Sequence, residues 1–206
     1  LVANGMASVL ARQLGASDHA GAEASFAGAH GLSVLTCLAL LAVFFLGGEP
    51  LVRLAANGSA TLAEYGYRYL QITVIAAPLA FALGLQTTAL RVEGRVGFMA
   101  ITGALVTVAN MAINFVLIAG LGWGVAGSAI GTALAQAAGL IIVLAFRASG
   151  RGDLPAFALP WHRWRTGWRD FLALGAPQSL SFLGLSLGSG TILVMLQNTA
   201  LEDYDT

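Results

Sequence analysis

Two amide side chains lie inside one of the most apolar stretches of the sequence. Asn110 and Asn114 are four residues apart in a run from 97 to 119 that contains no Lys, Arg, Asp or Glu. Residues at i and i+4 share one helix face, and Thr107 lies near that face, three residues before Asn110. Because amides are costly against lipid, the spacing predicts a polar surface that faces protein or a water-filled path and can hydrogen-bond a polar or cationic solute.

The alternative interpretation of such side chains is hydrogen bonding between helices, which contributes about 0.6 kcal/mol per bond on average. We favour that alternative for Gln86 and Gln136. For Asn110 and Asn114 we favour the solute path, because two amides on one face exceed what one packing contact needs. Gln178, in the last apolar run, is a further candidate for the path.

The sequence carries no recognisable catalytic set. All ten Asp and Glu residues fall in predicted loops or at helix ends, and the three histidines are scattered. Paired intramembrane carboxylates and H-E-x-x-H are absent. We therefore predict that the chain is not an enzyme and holds no metal or cofactor. The single cysteine, Cys37, is interpreted as a small packing residue.

The composition predicts the fold class that positions these side chains. Of the 206 residues, 57% are hydrophobic and 10% charged, whereas a soluble domain carries about 25% charged residues. Since the apolar runs are continuous, a polytopic all-α membrane bundle is predicted and a membrane β-barrel is disfavoured. The predicted complete spans are 27–47, 65–90, 97–119, 125–146 and 171–197, after a partial segment at 1–14. Pro78 and Pro177 are expected to bend their helices.

The basic residues predict the orientation of the spans. All ten are Arg, and with these spans eight lie on one side of the membrane, while Arg53 and Arg68 lie on the other. By the positive-inside rule, the turn 91–95 and the loop 147–170 are cytoplasmic. Trp161, Trp164 and Trp168 suit a linker anchored at the membrane surface. No basic stripe with interleaved aromatics indicates a nucleic-acid partner.

Small residues predict where helices approach closely. Gly127 and Gly131 form a G-x-x-x-G pattern, which Ala135 and Gly139 continue at four-residue spacing. Such spacing permits tight static packing, which we favour over a sliding surface between moving bundles.

Four segments of the chain resemble the multidrug and toxic compound extrusion (MATE) transporters. They are LARQLGASD, LQTTALRVEGRVG, ANMAINFVLIAGLGWGVAGSAIGTALAQ and FLALGAPQSLSFLG. They resemble, in order, the end of the second helix, the exit of the fourth, the fifth and sixth with their connection, and the start of the seventh. The resemblance implies a fragment of a twelve-helix, two-lobe fold. Residues 1–146 would form most of the first lobe, 147–169 the cytoplasmic loop between lobes, and 170–206 the first helix of the second lobe.

The resemblance also implies a function. The family's members are antiporters that expel organic, often cationic, compounds against Na⁺ or H⁺. The implied protein is a monomer in the cell membrane, the bacterial inner membrane in particular, whose partners are a small organic substrate and the lipid bilayer. The alternatives are a lipid-linked-oligosaccharide flippase of the same superfamily and a non-transporting membrane scaffold.

Two positions depart from the family pattern. One bacterial branch carries an Asp where this chain has Asn114, and another carries a Glu after the proline that corresponds to Pro177, where this chain has none. The sequence therefore places any coupling carboxylate outside these spans.

Overall fold

The computed structural model describes residues 1–56, 59–156 and 163–202, apart from the side chains of residues 54, 55, 178 and 193–202. Within these residues the chain is all-α. The helices are α1 Val2–Gly15, α2 His19–Ala55, α3 Ala60–Val92, α4 Val96–Phe115, α5 Gly124–Ala148 and α6 Trp168–Glu202. A π-helical turn, Val116–Gly120, extends α4 towards α5.

Side-chain caps and left-handed residues define the short turns between helices. The Asp18 carboxylate accepts a hydrogen bond from the Gly21 amide at 2.9 Å, and the Ser59 hydroxyl accepts one from the Leu62 amide at 3.3 Å. Both bonds satisfy amides that a helix start leaves without a partner. Gly94 has φ +78° in the turn between α3 and α4, a conformation that glycine adopts without strain.

The helices are longer than the predicted spans. The predicted connector at 48–64 is mostly helical, because α2 continues through Pro50 to Ala55 and α3 begins at Ala60. The polar stretch after Leu14 likewise forms the first turns of α2. The physical reason is that caps and turn residues end a helix, whereas emergence from lipid into water does not. α3 continues unbroken through Pro78, while α6 bends by 41° between Trp168–Pro177 and Ser179–Ile192.

Among the described residues, four helices are long and apolar enough to cross a membrane, and the bent α6 makes a fifth if it is taken as one span. The four segments are His19–Arg53, Ala60–Val92, Val96–Gly120 and Gly124–Ala148. Large apolar side chains on their outer faces are exposed, such as Met111 at 71% and Phe115 at 72%. Such faces suit lipid, which supports the predicted fold class of a polytopic helical bundle.

The best-packed core lies where α1, α2, α3 and α6 meet. Met6, Leu10, Phe26 and Phe171 are fully buried there. Gly5 lets α1 approach α6 closely, because a Cβ at this position would overlap the carbonyl of Phe171. This core fixes the first part of α6 against α1.

Candidate functional site

The structure brings Asn110 and Asn114 together with a third polar side chain, Thr132 of α5. The Asn114 Nδ2 donates to Asn110 Oδ1 at 3.3 Å, and the Asn110 Nδ2 donates to Thr132 Oγ1 at 3.0 Å. The Thr132 hydroxyl donates in turn to the Ser128 carbonyl at 3.0 Å. We call Asn110, Asn114 and Thr132 the α4–α5 polar cluster. It is a chain of hydrogen bonds across the interface of two membrane-spanning helices.

The α4–α5 polar cluster ends in one acceptor without a donor. The Asn114 Oδ1 is buried and has no hydrogen-bond partner in the part of the chain that the structure describes. It lies against Gly131, in the place that a Cβ of residue 131 would occupy. The absence of a side chain at Gly131 therefore gives Asn114 its position. A buried carbonyl oxygen without a donor can accept a hydrogen bond or contact a cation.

Of the other two predicted path residues, Thr107 does not join this cluster, and the side chain of Gln178 is not among those described. Thr107 is exposed, and its hydroxyl donates to the Gly103 carbonyl of its own helix at 3.0 Å. The side chain of Gln178 lies outside the described residues. For both, a role in the solute path stays a prediction.

Sequence reasoning missed Thr132 and the π-helical turn. Thr132 follows Gly131 inside the small-residue pattern of α5, which predicts only close packing. Its hydroxyl nevertheless accepts a hydrogen bond from Asn110. The turn Val116–Gly120 begins two residues after Asn114. π-Turns are rare in α-helices overall, but those that occur are frequently found at functional sites. The co-occurrence of an amide pair and a threonine on the facing helix is the signal that would have found the cluster.

A second polar network ties the ends of α3 and α5 to the loop that follows α5. The Arg147 Nη1 lies 2.7 Å from Glu93 Oε1, and both side chains are fully buried. Arg147 also donates to the carbonyls of Leu154 at 3.1 Å and Gln86 at 3.4 Å. The Asp153 amide donates to Glu93 Oε2 at 2.9 Å. Because every partner lies at one end of the bundle, this network holds structure there and does not reach the α4–α5 polar cluster.

Gln86 and the tryptophans of the loop 147–170 also bind at that end. Gln86 donates to the Ala156 carbonyl at 3.0 Å, so its bond joins α3 to the loop after α5 and not to another helix. The Trp168 indole donates to the Gly28 carbonyl of α2 at 2.8 Å. A Cβ at Gly31 would contact Trp164. These tryptophans thus pack on α2 as well as suiting a membrane surface, while Trp161 lies outside the described residues.

The sequence comparison decides the family. A sequence model of the MatE family matches residues 1–116, which is more than half of the chain. The chain belongs to the MATE family. Multidrug and toxin extrusion protein 1 of Danio rerio is 35% identical over 105 residues, which are 51% of this MATE chain and 17% of that protein.

Solved MATE structures share the fold. An inward-facing multidrug resistance MATE family transporter of the MOP superfamily has a TM-score of 0.79 at 21% identity. A MOP superfamily transporter from Pyrococcus furiosus has a TM-score of 0.79 at 22% identity. Each comparison covers 90% of this MATE chain, and 42% and 41% of the respective solved chain. The chain therefore spans less than half the length of these relatives, and its fold is part of a twelve-helix MATE transporter.

Proposed function

We propose that the full protein is a secondary active antiporter that exports organic, often cationic, solutes in exchange for Na⁺ or H⁺. The observation that carries the proposal is the α4–α5 polar cluster. It places neutral hydrogen-bonding groups, one of them an acceptor without a donor, between two largely apolar helices. Membership of the MATE family supports an export function, and alternating access around a central cavity is the mechanism that such bundles use.

The chemistry of the cluster limits what it can carry. Its oxygen atoms belong to two amides and one hydroxyl, which do not titrate in the physiological pH range. Amide and hydroxyl oxygens can contact Na⁺ or hydrogen-bond a cationic solute, whereas a transported proton needs a titratable group. In a proton-coupled cycle, these residues would contact the solute and a carboxylate elsewhere in the full protein would carry the proton.

Transport by the full-length protein in proteoliposomes tests the proposal. The variant Asn114→Leu removes the free acceptor, and Val108→Leu is a control at an exposed position on the opposite side of the same helix from Asn110. We expect export of a fluorescent organic cation to fall at least tenfold in Asn114→Leu and to stay unchanged in Val108→Leu. Unchanged export by a normally inserted Asn114→Leu protein would contradict the path assignment.

The same vesicles separate the rival functions. A flippase would move a lipid-linked oligosaccharide between leaflets, and a scaffold would move neither substrate.

The proposal places the protein in the cell membrane, the inner membrane if the source is bacterial. It acts there as a monomer on small organic solutes and has no nucleic-acid partner.

A further inference from the structure

One buried hydroxyl in the membrane-spanning part of the chain has no role in the proposed path. Ser33 of α2 is 5% exposed, and its Oγ has no hydrogen-bond partner among the residues that the structure describes. The nearby Thr36 on the same helix instead donates to the Leu32 carbonyl at 2.8 Å. A buried hydroxyl without a partner is costly. Ser33 therefore indicates a place where an additional hydrogen-bonding group would be favourable.

Ser33 lines a cavity between α2 and α3 that opens onto the outer surface of the bundle. The cavity has a volume of about 160 Å³, and its wall includes His30 and Cys37 of α2 and Pro78, Phe81 and Ala82 of α3. An apolar protein cavity of about 150 Å³ is large enough to bind benzene. The volume thus fits a molecule with one aromatic ring and few other heavy atoms.

The polar groups of this cavity are few. Apart from Ser33 and His30, the residues that line it have apolar side chains or the weakly polar thiol of Cys37. The His30 Nδ1 donates to the Phe26 carbonyl at 2.9 Å, since a carbonyl can only accept. In the neutral ring, the other nitrogen is then an acceptor. The cavity therefore offers an apolar pocket with one hydroxyl and one imidazole, which suits a ligand that carries a single hydroxyl group.

We propose that the α2–α3 cavity binds a single-ring aromatic alcohol of the phenol class. The ring occupies the apolar space beside Pro78 and Phe81, and the ligand hydroxyl bonds to Ser33. The site lies between α2 and α3, whereas the α4–α5 polar cluster lies between two other helices. The proposal goes beyond the antiport activity and does not depend on it, because binding can be measured without transport.

The test is a ¹⁹F NMR titration of the full-length protein in lipid nanodiscs with 4-fluorophenol, and in parallel with 4-fluorotoluene. Empty nanodiscs measure partition into lipid. The variant Ala82→Leu fills the cavity, and Ala80→Leu adds the same side chain at an exposed position of α3. Ser33→Ala removes the hydroxyl and keeps the space. Equal melting temperatures and elution volumes show that the variants fold.

We expect saturable binding of 4-fluorophenol to the wild type and Ala80→Leu, and loss of binding in Ala82→Leu. Ser33→Ala should weaken the binding affinity for 4-fluorophenol about fivefold, which is the effect of one net hydrogen bond. It should leave the affinity for 4-fluorotoluene unchanged. Lack of saturable binding to the wild type would overturn the proposal. So would equal binding of both probes with no effect of Ser33→Ala, since the cavity would then hold an acyl chain or another purely apolar group. The wild-type and Ser33→Ala titrations decide the matter even if Ala82→Leu does not fold.

Discussion

The carbonyl oxygen of Asn114 occupies the space that a side chain at Gly131 would take. This relationship joins two features that the sequence presents separately, an amide in α4 and a small-residue pattern in α5. The glycine here does more than allow two helices to approach, because it admits a polar group into their interface.

Gly131→Ala is expected to displace the Asn114 side chain. The added methyl group overlaps Asn114 Oδ1, and overpacking of this kind costs about 1–3 kcal/mol. We expect a lower melting temperature and reduced solute export, both measured on the full-length protein in detergent and proteoliposomes. Gly103→Ala in α4 is the control, since a Cβ there meets open space, and it should leave both quantities near wild type.

Thr132→Val is expected to leave the Asn110 amide without its acceptor. A buried donor that loses its partner costs about 1–3 kcal/mol. The conservative variant Thr132→Ser keeps the hydroxyl and should restore most of the stability and the export rate. If Thr132→Val and Thr132→Ser behave alike in thermal unfolding and transport assays, the hydrogen bond from Asn110 to Thr132 contributes neither to stability nor to export.

Most of the fold was predictable from the sequence. Continuous apolar runs and the grouping of arginines indicate the helices and the ends that belong together, and the turn at 91–95 agrees with the end of α3 at Val92 and the start of α4 at Val96. Helix ends such as Ala55 were missed, because a polar composition outside the membrane does not stop a helix. The boundaries depend on local caps such as Ser59.

The candidate site was only half predictable. Helix periodicity places Asn110 and Asn114 on one face, but their contact with Thr132 depends on the relative rotation and register of α4 and α5. That register is set by side-chain packing between the helices, which no single periodic pattern specifies. Thr107 was placed near the same face by its spacing, and its hydroxyl donates to the Gly103 carbonyl of its own helix, so its role in the path stays a prediction.

Arg147→Met is expected to destabilise the protein strongly. It leaves the buried Glu93 carboxylate without its cation, and loss of one partner of a buried ion pair costs about 3–5 kcal/mol. The melting temperature should fall in Arg147→Met and in Glu93→Gln. The double variant should be more stable than the sum of the two effects predicts. Strict additivity would show that the two side chains are not coupled.

Gly28→Ala is expected to release the segment 163–168 from α2. A Cβ at Gly28 overlaps the Thr166 carbonyl, and the Gly28 carbonyl accepts from the Trp168 indole. Trypsin should then cleave after Arg163 and Arg165 several times faster, as measured by peptide mass spectrometry. Gly84→Ala, where a Cβ meets no atom within 4 Å, is the control. Equal cleavage rates in both variants would show that the packing on α2 does not protect the segment.

The central claim is that Asn114 faces the path of the transported solute. The most direct measurement is the rate at which a membrane-impermeant thiol reagent modifies Asn114→Cys in the full-length protein, on a Cys37→Ser background, with and without a transported organic cation. The account predicts modification that the solute slows, while Val108→Cys, at an exposed position on the opposite side of α4 from Asn110, stays unmodified. Asn114→Cys that does not react under any condition, or reacts at a rate that the solute leaves unchanged, would contradict it.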